Sequence, residues 1–250
     1  MSGISKSGKG PAAPSRRVLI KAGGLGLASL AAPLSGITNA APVSGPLQHP
    51  AYRFFTASEA AFIEAATARL IPGNAESPGA AEADVPIYID RALAGAWGGG
   101  AGLYRSGPWQ TGVPSQGYQL KLTPAELYRA AIGSIERELG RTGTAFATLA
   151  PKDQDAFLKK LEQGLLDLDG VPSNVFFDVL LQNTVEGFFS DPLYGGNSNM
   201  VGWKLVGFPG AYASWYDLVD KHGIDLSRRH PMAIAQEGTE ATPSGSHMGR

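Results

Sequence analysis

Between Ser173 and Phe189 the chain places Phe176, Phe177, Leu180, Leu181, Thr184, Val185, Phe188 and Phe189 at helical spacing. Such a band is wider than the ~100° apolar stripe of a helix that lies on a surface. A helix of this kind has to be packed on several sides, so it predicts a central helix with others arranged around it. Ser173 stands where an N-cap would.

The remaining patterns supply those neighbours. Thr56-Ala57-Ser58-Glu59 reads as a capping box, followed by Phe62, Ile63, Ala66 and Leu70 on one face and Pro72 as a stop. Asp84 is the expected cap of a shorter second helix carrying Ile87, Ile89, Ala92 and Leu93. Thr123-Pro124-Ala125-Glu126 combines an N-cap, a proline at the first helical position and a box glutamate. Leu127, Ala131, Ile132, Ile135 and Leu139 continue that helix to Gly140, the expected C-cap. A fourth helix is expected from Pro151 to about Leu166, with Phe157, Leu158, Leu161 and Leu165 on one side. Alternating strand patterns are nearly absent. The fold class that follows is all-α, a single helical domain with long loops rich in Gly, Pro and aromatics. The 33 glycines and 18 prolines fit those loops.

The expected domain spans residues 42–229, between a leader at 1–41 and a flexible polar tail at 230–250. Within the leader, Ser15-Arg16-Arg17-Val18-Leu19-Ile20-Lys21 follows the twin-arginine pattern, and a Gly- and Ala-rich apolar run continues to about Leu34. Small residues at Ala40 and Ala41 mark the expected cleavage. The apolar run falls short of the ~20 residues a transmembrane helix needs. Arg16 and Arg17 are therefore the expected export signal, directing an already folded protein to the periplasm. Gly24-Leu25-Gly26-Leu27-Ala28-Ser29 imitates the start of a dinucleotide fingerprint, but it lacks the third glycine and sits inside the leader. In the tail, Gly245-Ser246-His247-Met248 reads either as a tag remnant or as native sequence.

Chemistry is sparse. No cysteine occurs, which excludes disulfides, thiolate metal sites, iron–sulfur clusters and a covalent CxxCH haem. Once Lys6, Lys9, Arg16, Arg17 and Lys21 leave with the leader, 16 basic residues face 22 acidic ones, a charge of −6. That balance disfavours nucleic acid and gives no polybasic handle on a bilayer, so membrane contact is expected to be only indirect. His49, His222, His230 and His247 form no metal-ligand pair. Glu136 and Glu138, Asp153 and Asp155, and Asp167 and Asp169 are two apart, a spacing that diverges on a helix. Leu166-Asp167-Leu168-Asp169-Gly170 lacks the terminal glutamate of a calcium loop and reads as a helix-ending turn. No catalytic, cofactor-binding or metal-binding residue is expected in this chain.

Two irregular segments stand out. From Gly95 to about Lys121 no period is visible, yet Trp97, Tyr104, Trp109 and Tyr118 recur. Loops of that length are often binding segments. The second runs from Asp191 to Tyr212, directly after the Phe-rich helix. Gly195 and Gly196 permit positive φ or close backbone approach, Asn197 and Asn199 can fix turns, and Trp203, Phe208 and Tyr212 offer large rigid rings. Two readings stay open, a partner-binding surface and a loop covering its own core, and they are compatible. The expected partner-binding residues are Tyr194, Gly195, Gly196, Asn197, Trp203, Phe208, Pro209 and Gly210.

Asp191-Pro192-Leu193-Tyr194-Gly195-Gly196-Asn197, followed by Gly202-Trp203-Lys204-Leu205-Val206-Gly207-Phe208-Pro209-Gly210, resembles the signature of the gluconate 2-dehydrogenase small (gamma) subunit family. Phe54-Phe55-Thr56 with Glu59, Arg69-Leu70-Ile71-Pro72, Tyr88-Ile89-Asp90 and Gly117 to Tyr128 agree with it, so the resemblance covers roughly residues 54–216. It implies a periplasmic complex associated with the inner membrane. In such a complex a large subunit carries FAD and the substrate site, and a multihaem cytochrome c subunit, with haem c, passes electrons to quinone. The small subunit holds neither cofactor, is not catalytic by itself, and lends its leader to the flavoprotein. Related complexes oxidise fructose, sorbitol or glucose; the length of the chain and the 95–121 segment favour gluconate. The competing expectation is a stand-alone periplasmic ligand-binding protein or enzyme with the aromatic–amide loop as its site.

Overall fold

The computed structural model divides into two units, Met1–Gln48 and His49–Arg250. It describes residues 51–110, 112–113, 118–211, 218–226 and 229–236, all within the second unit. Arg16 and Arg17 with the rest of the leader, His49, Tyr212, His247 and the 245–248 tetrapeptide lie outside them.

The described residues form α1 (Ala57–Leu70), α2 (Val85–Ala94), α3 (Pro124–Gly140), α4 (Pro151–Glu162), α5 (Ser173–Phe189) and α6 (Val201–Val206). A hairpin of β1 (Asp167–Leu168) and β2 (Val171–Pro172) precedes α5. The all-α expectation holds, with this hairpin as an addition. Both capping boxes are present. Thr56 donates its N–H to Glu59 Oε2 at 2.8 Å and Thr123 donates to Glu126 Oε2 at 2.7 Å, while each threonine hydroxyl accepts the glutamate N–H in return.

The Phe-rich α5 is central, packing against α1, α2, α3, α4 and α6. Phe176, Leu180 and Phe188 are buried on it, and Phe176 meets Tyr128 edge-on at 5.4 Å and Phe62 at 6.3 Å. The Tyr128 hydroxyl, fully enclosed, accepts Asn183 Nδ2 at 2.9 Å, so the one polar tip in this cluster is satisfied. The band on α5 is nevertheless wider than the core it serves: Leu181, Val185 and Phe189 remain at the surface.

Four local expectations are corrected. Asp84 holds the N-cap position of α2, its carbonyl accepting the Ile87 N–H, but its backbone is left-handed (φ 53) and its side chain makes no capping hydrogen bond. The Asp84 carboxylate instead accepts the Ser198 hydroxyl. Ser173 is the first helical residue rather than the cap, because β2 feeds straight into α5 through Pro172 (φ −61); its buried hydroxyl has no hydrogen-bond partner among the described residues. Gly140 is the last residue of α3 and Arg141 its cap; Gly143 (φ 69) then turns the chain back, with the Thr144 N–H on the Leu139 carbonyl and the Gly143 N–H on the Gly140 carbonyl. Helix α4 stops at Glu162 instead of near Leu166, since Gly164 (φ 71) lets the Leu165 N–H fold back onto the Lys160 carbonyl.

The expected helix-ending turn at 166–170 is the hairpin. Asp169 (φ 53) and Gly170 (φ 90) form its two-residue loop, and Asp167 pairs with Pro172 and Leu168 with Val171. Two successive positive φ values suit the right-handed twist of the flanking strands, and Asp-Gly supplies them cheaply.

Asp90, on α2, is 2% exposed and receives three successive backbone groups. The N–H of Arg53 reaches Oδ2 at 2.7 Å, and those of Phe54 and Phe55 reach Oδ1 at 2.8 and 3.0 Å. This carboxylate fixes the chain as it enters the domain. A second clamp lies beside it: Arg129 on α3 pairs with Glu59 of α1, donates to the Phe54 carbonyl, and lies 4.0 Å above the Phe54 ring.

Replacing Asp90 by Ala strips the acceptor from three N–H groups and should cost about 3 kcal/mol or more. Asp90→Asn should cost less, because Oδ1 still serves Phe54 and Phe55 while the amide opposes the Arg53 N–H; urea unfolding of the purified protein checks the order. Burial by itself would raise the Glu59 carboxyl, but hydrogen bonds from Arg129 and Thr56 outweigh it and hold the group below its usual range. A depressed folded-state value contributes stability above the unfolded pKa of about 4.3, lost as pH falls through the lower folded value. Glu59→Gln should therefore flatten the acid limb of the stability–pH curve, as followed by thermal melts across that range.

Candidate functional site

The segment after α5 is tied to the core residue by residue. Asp191 opens it: Oδ1 accepts the Leu193 N–H at 2.9 Å, and Oδ2 accepts the Ile234 N–H at 2.8 Å. Pro192–Tyr194 make a 3₁₀ turn that ends in left-handed Gly195 (φ 107). Gly196 then passes so close to α5 that a Cβ would run into the Gly187 carbonyl. Asn197 is fully buried in a left-handed conformation (φ 49, ψ 39). Its Nδ2 donates to the Ser190 carbonyl and its Oδ1 accepts the Gly202 N–H, both at 2.8 Å. One side-chain amide thus satisfies two backbone groups that would otherwise be orphaned between α5 and α6.

Helix α6 completes the lock. Gly202 lies against the Phe188 backbone, where no Cβ fits. Trp203, 6% exposed, donates Nε1–H to the Phe189 carbonyl at 2.7 Å and meets Phe208 edge-on at 5.1 Å. Gly210 (φ 90) bridges to Met232, with the Ala211 N–H on the Met232 carbonyl at 2.7 Å. Ala233 is buried next to it. The flexible tail expected from His230 therefore meets packed backbone up to this point.

The expected partner-binding residues separate by exposure. Gly196, Asn197, Trp203 and Gly210 are buried in the loop's own packing. Tyr194 is 56% exposed and Phe208 46% exposed, with Leu193, Leu205 and Val206 exposed beside them. Gly195 and Pro209 are half-buried. Both readings of the segment thus have residues to carry them: an inner set that seals the core and an outer set of rings and aliphatics in water.

The 95–121 segment behaves differently. Tyr118 packs on the core and donates its hydroxyl to the Leu122 carbonyl at 2.7 Å; burial, then the Glu126 charge, push its phenol up to about 12. Trp97, Tyr104 and Trp109 are exposed. Elsewhere the acidic pairs are engaged in ion pairs, Asp155 with Arg69 at 2.7 Å and Asp169 with Arg137. Among the described residues no group of three or more His, Asp and Glu side chains could hold a metal ion, and His222 and His230 are exposed. Nor is any described helix long and apolar enough to cross a membrane.

The family model for gluconate 2-dehydrogenase subunit 3 matches residues 57–210, well over half of the sequence. The chain belongs to that family. Comparison with curated proteins and with solved structures gives no match. The matched span begins with α1 and ends at Gly210, so it takes in the whole locked segment; Asp90 and Asn197 both fall inside it. A family named as a third subunit belongs to a multi-subunit dehydrogenase complex.

Sequence reasoning missed the double role of Asp191 and the packing of residues 229–236. The first had a signal, since Asp-Pro favours a side-chain-closed turn. The second had none: a single parallel bridge leaves no periodicity to read.

Asn197→Ala should destabilise the domain by about 3 kcal/mol, from two lost hydrogen bonds and a strained left-handed alanine. Asn197→Gly loses the same bonds without the strain and should be less damaging by about 1 kcal/mol. Denaturant midpoints of the two variants test this division.

Proposed function

We propose that the chain is the non-catalytic small subunit of a periplasmic, FAD-dependent gluconate 2-dehydrogenase. In this reading the complex oxidises D-gluconate to 2-dehydro-D-gluconate. A large subunit binds FAD and substrate, and a multihaem cytochrome c subunit carries electrons onward to quinone at the inner membrane. The small subunit stabilises the flavoprotein and conveys it across the membrane.

Membership of the subunit 3 family is the observation that carries the reading. The Arg16-Arg17 leader supports the export role, because the twin-arginine route accepts folded cargo and FAD is acquired in the cytoplasm. The exposed rings of Tyr194 and Phe208 support the stabilising role, since large rigid rings dominate protein interfaces. Trp203 serves the partner indirectly in this reading, by holding Phe208 in place through their edge-on contact.

Replacing Arg16 and Arg17 together by Lys should strand the flavoprotein in the cytoplasm along with this chain. Cell fractionation with a gluconate-dependent dye assay measures it. Undiminished periplasmic dehydrogenase activity would show that the flavoprotein travels independently.

A further inference from the structure

The surface rim of α5 is not random in composition. Leu181, Val185 and Phe189, each four residues from the next, form one line and are 36%, 43% and 39% exposed. At its C-terminal end the line runs into an open groove of about 600 Å³ between α2, α5 and the 192–194 turn. The rings of Tyr88, Phe189 and Tyr194 wall this groove. Its position is fixed from beneath, because Gly187 lets the Tyr88 ring lie directly against α5.

One cation stands in the groove. Arg91 projects from α2 across Gly195, where any Cβ would meet its guanidinium. Arg69, Arg105, Arg129, Arg137 and Arg141 each lie within 4.0 Å of a carboxylate. Arg91, like the exposed Arg53, has no such partner among the described residues, and of the two only Arg91 lines the groove. The two acids that line the groove are already engaged: Glu186 accepts Gln182 Nε2 at 2.8 Å and the Tyr88 hydroxyl at 3.5 Å, and Asp191 accepts the Leu193 and Ile234 N–H groups. An arginine fork held among aromatic walls favours a planar carboxylate, and apolar atoms beside that carboxylate would cover the rings.

We propose that this groove receives a segment of the FAD-carrying large subunit, in which an acidic side chain pairs with Arg91 and an adjacent apolar side chain lies between Phe189 and Tyr194. The proposal rests on the small-subunit reading above and assigns that reading its anchor. A second copy of this chain is a poor occupant: face-to-face pairing would bring the same unpaired cation and the same engaged glutamate together, with no free carboxylate to offer. An anionic bilayer is a poor one too, since a single arginine beside a glutamate makes no polybasic patch.

The test co-expresses the full chain with the large subunit, purifies through this chain, and reads bound FAD per chain from visible absorbance. Arg91→Glu and Tyr194→Ala should each lower retained flavin roughly tenfold or more. Leu165→Ser, at a 67% exposed position beyond α4, should retain the wild-type amount. Thermal melts of each variant alone check folding; should Arg91→Glu melt early, Tyr194→Ala decides. Wild-type flavin retention by a folded Tyr194→Ala and Arg91→Glu pair would overturn the groove and leave the small-subunit reading standing. Absence of flavin with the wild type would overturn both. A homodimer by light scattering that these substitutions dissociate would assign the groove to a second copy and overturn the proposal.

Discussion

The Asp90 carboxylate, buried on α2 and filled by three consecutive N–H groups, is the constraint from which the domain is organised. It joins the entry of the chain to α2 before any helix has been crossed. The Phe55 ring held there packs toward Tyr128, and the neighbouring Phe54 lies under Arg129, so α1 and α3 are registered against the same point. From α2 the alignment passes to α5 through the Tyr88–Gly187 contact. It reaches the locked segment through Ser198, whose N–H donates to the Ala83 carbonyl at 3.1 Å and whose hydroxyl donates to Asp84. A buried carboxylate of this kind is worth keeping only when both its oxygens are hydrogen-bonded, and here three backbone donors provide that.

Much of the fold was legible from local chemistry. The two Thr–Glu boxes and the first-turn prolines marked helix starts because they answer a need that every helix has, the supply of partners to its free N–H groups. The width of the apolar band announced the centrality of α5. Where reading failed, a nearer competitor had taken the role. Gly164 closes α4 at Glu162, short of where apolar periodicity alone would carry it. Asp169-Gly170 reads by its position as the end of a helix, although the dipeptide is a strong hairpin signal. Asp84 looked like a side-chain cap in one dimension; in three its carboxylate belongs to Ser198, 114 residues further along.

The candidate site was legible as a location and not as a division of labour. Composition picked out 191–210 as unusual, but glycine, asparagine and tryptophan can equally seal a core or greet a partner. Burial separates them: Asn197 and Trp203 face inward, Tyr194 and Phe208 outward. Arg91 carried no signal at all in the sequence, since what marks it is its place among the groove's rings with no carboxylate at ion-pair distance among the described residues, and such surroundings come from remote segments. The outward line on α5 was hidden inside the very band that announced the core helix.

The Asn197 amide has a consequence for recognition. A loop held by its own interior hydrogen bonds presents its outer rings in a fixed arrangement before anything binds. Association then forfeits little conformational freedom, where each side chain newly immobilised would otherwise subtract about 0.5–1.5 kcal/mol from affinity. Under the proposed export of this chain and its partner as one folded cargo, such preorganisation lets a modest contact area suffice.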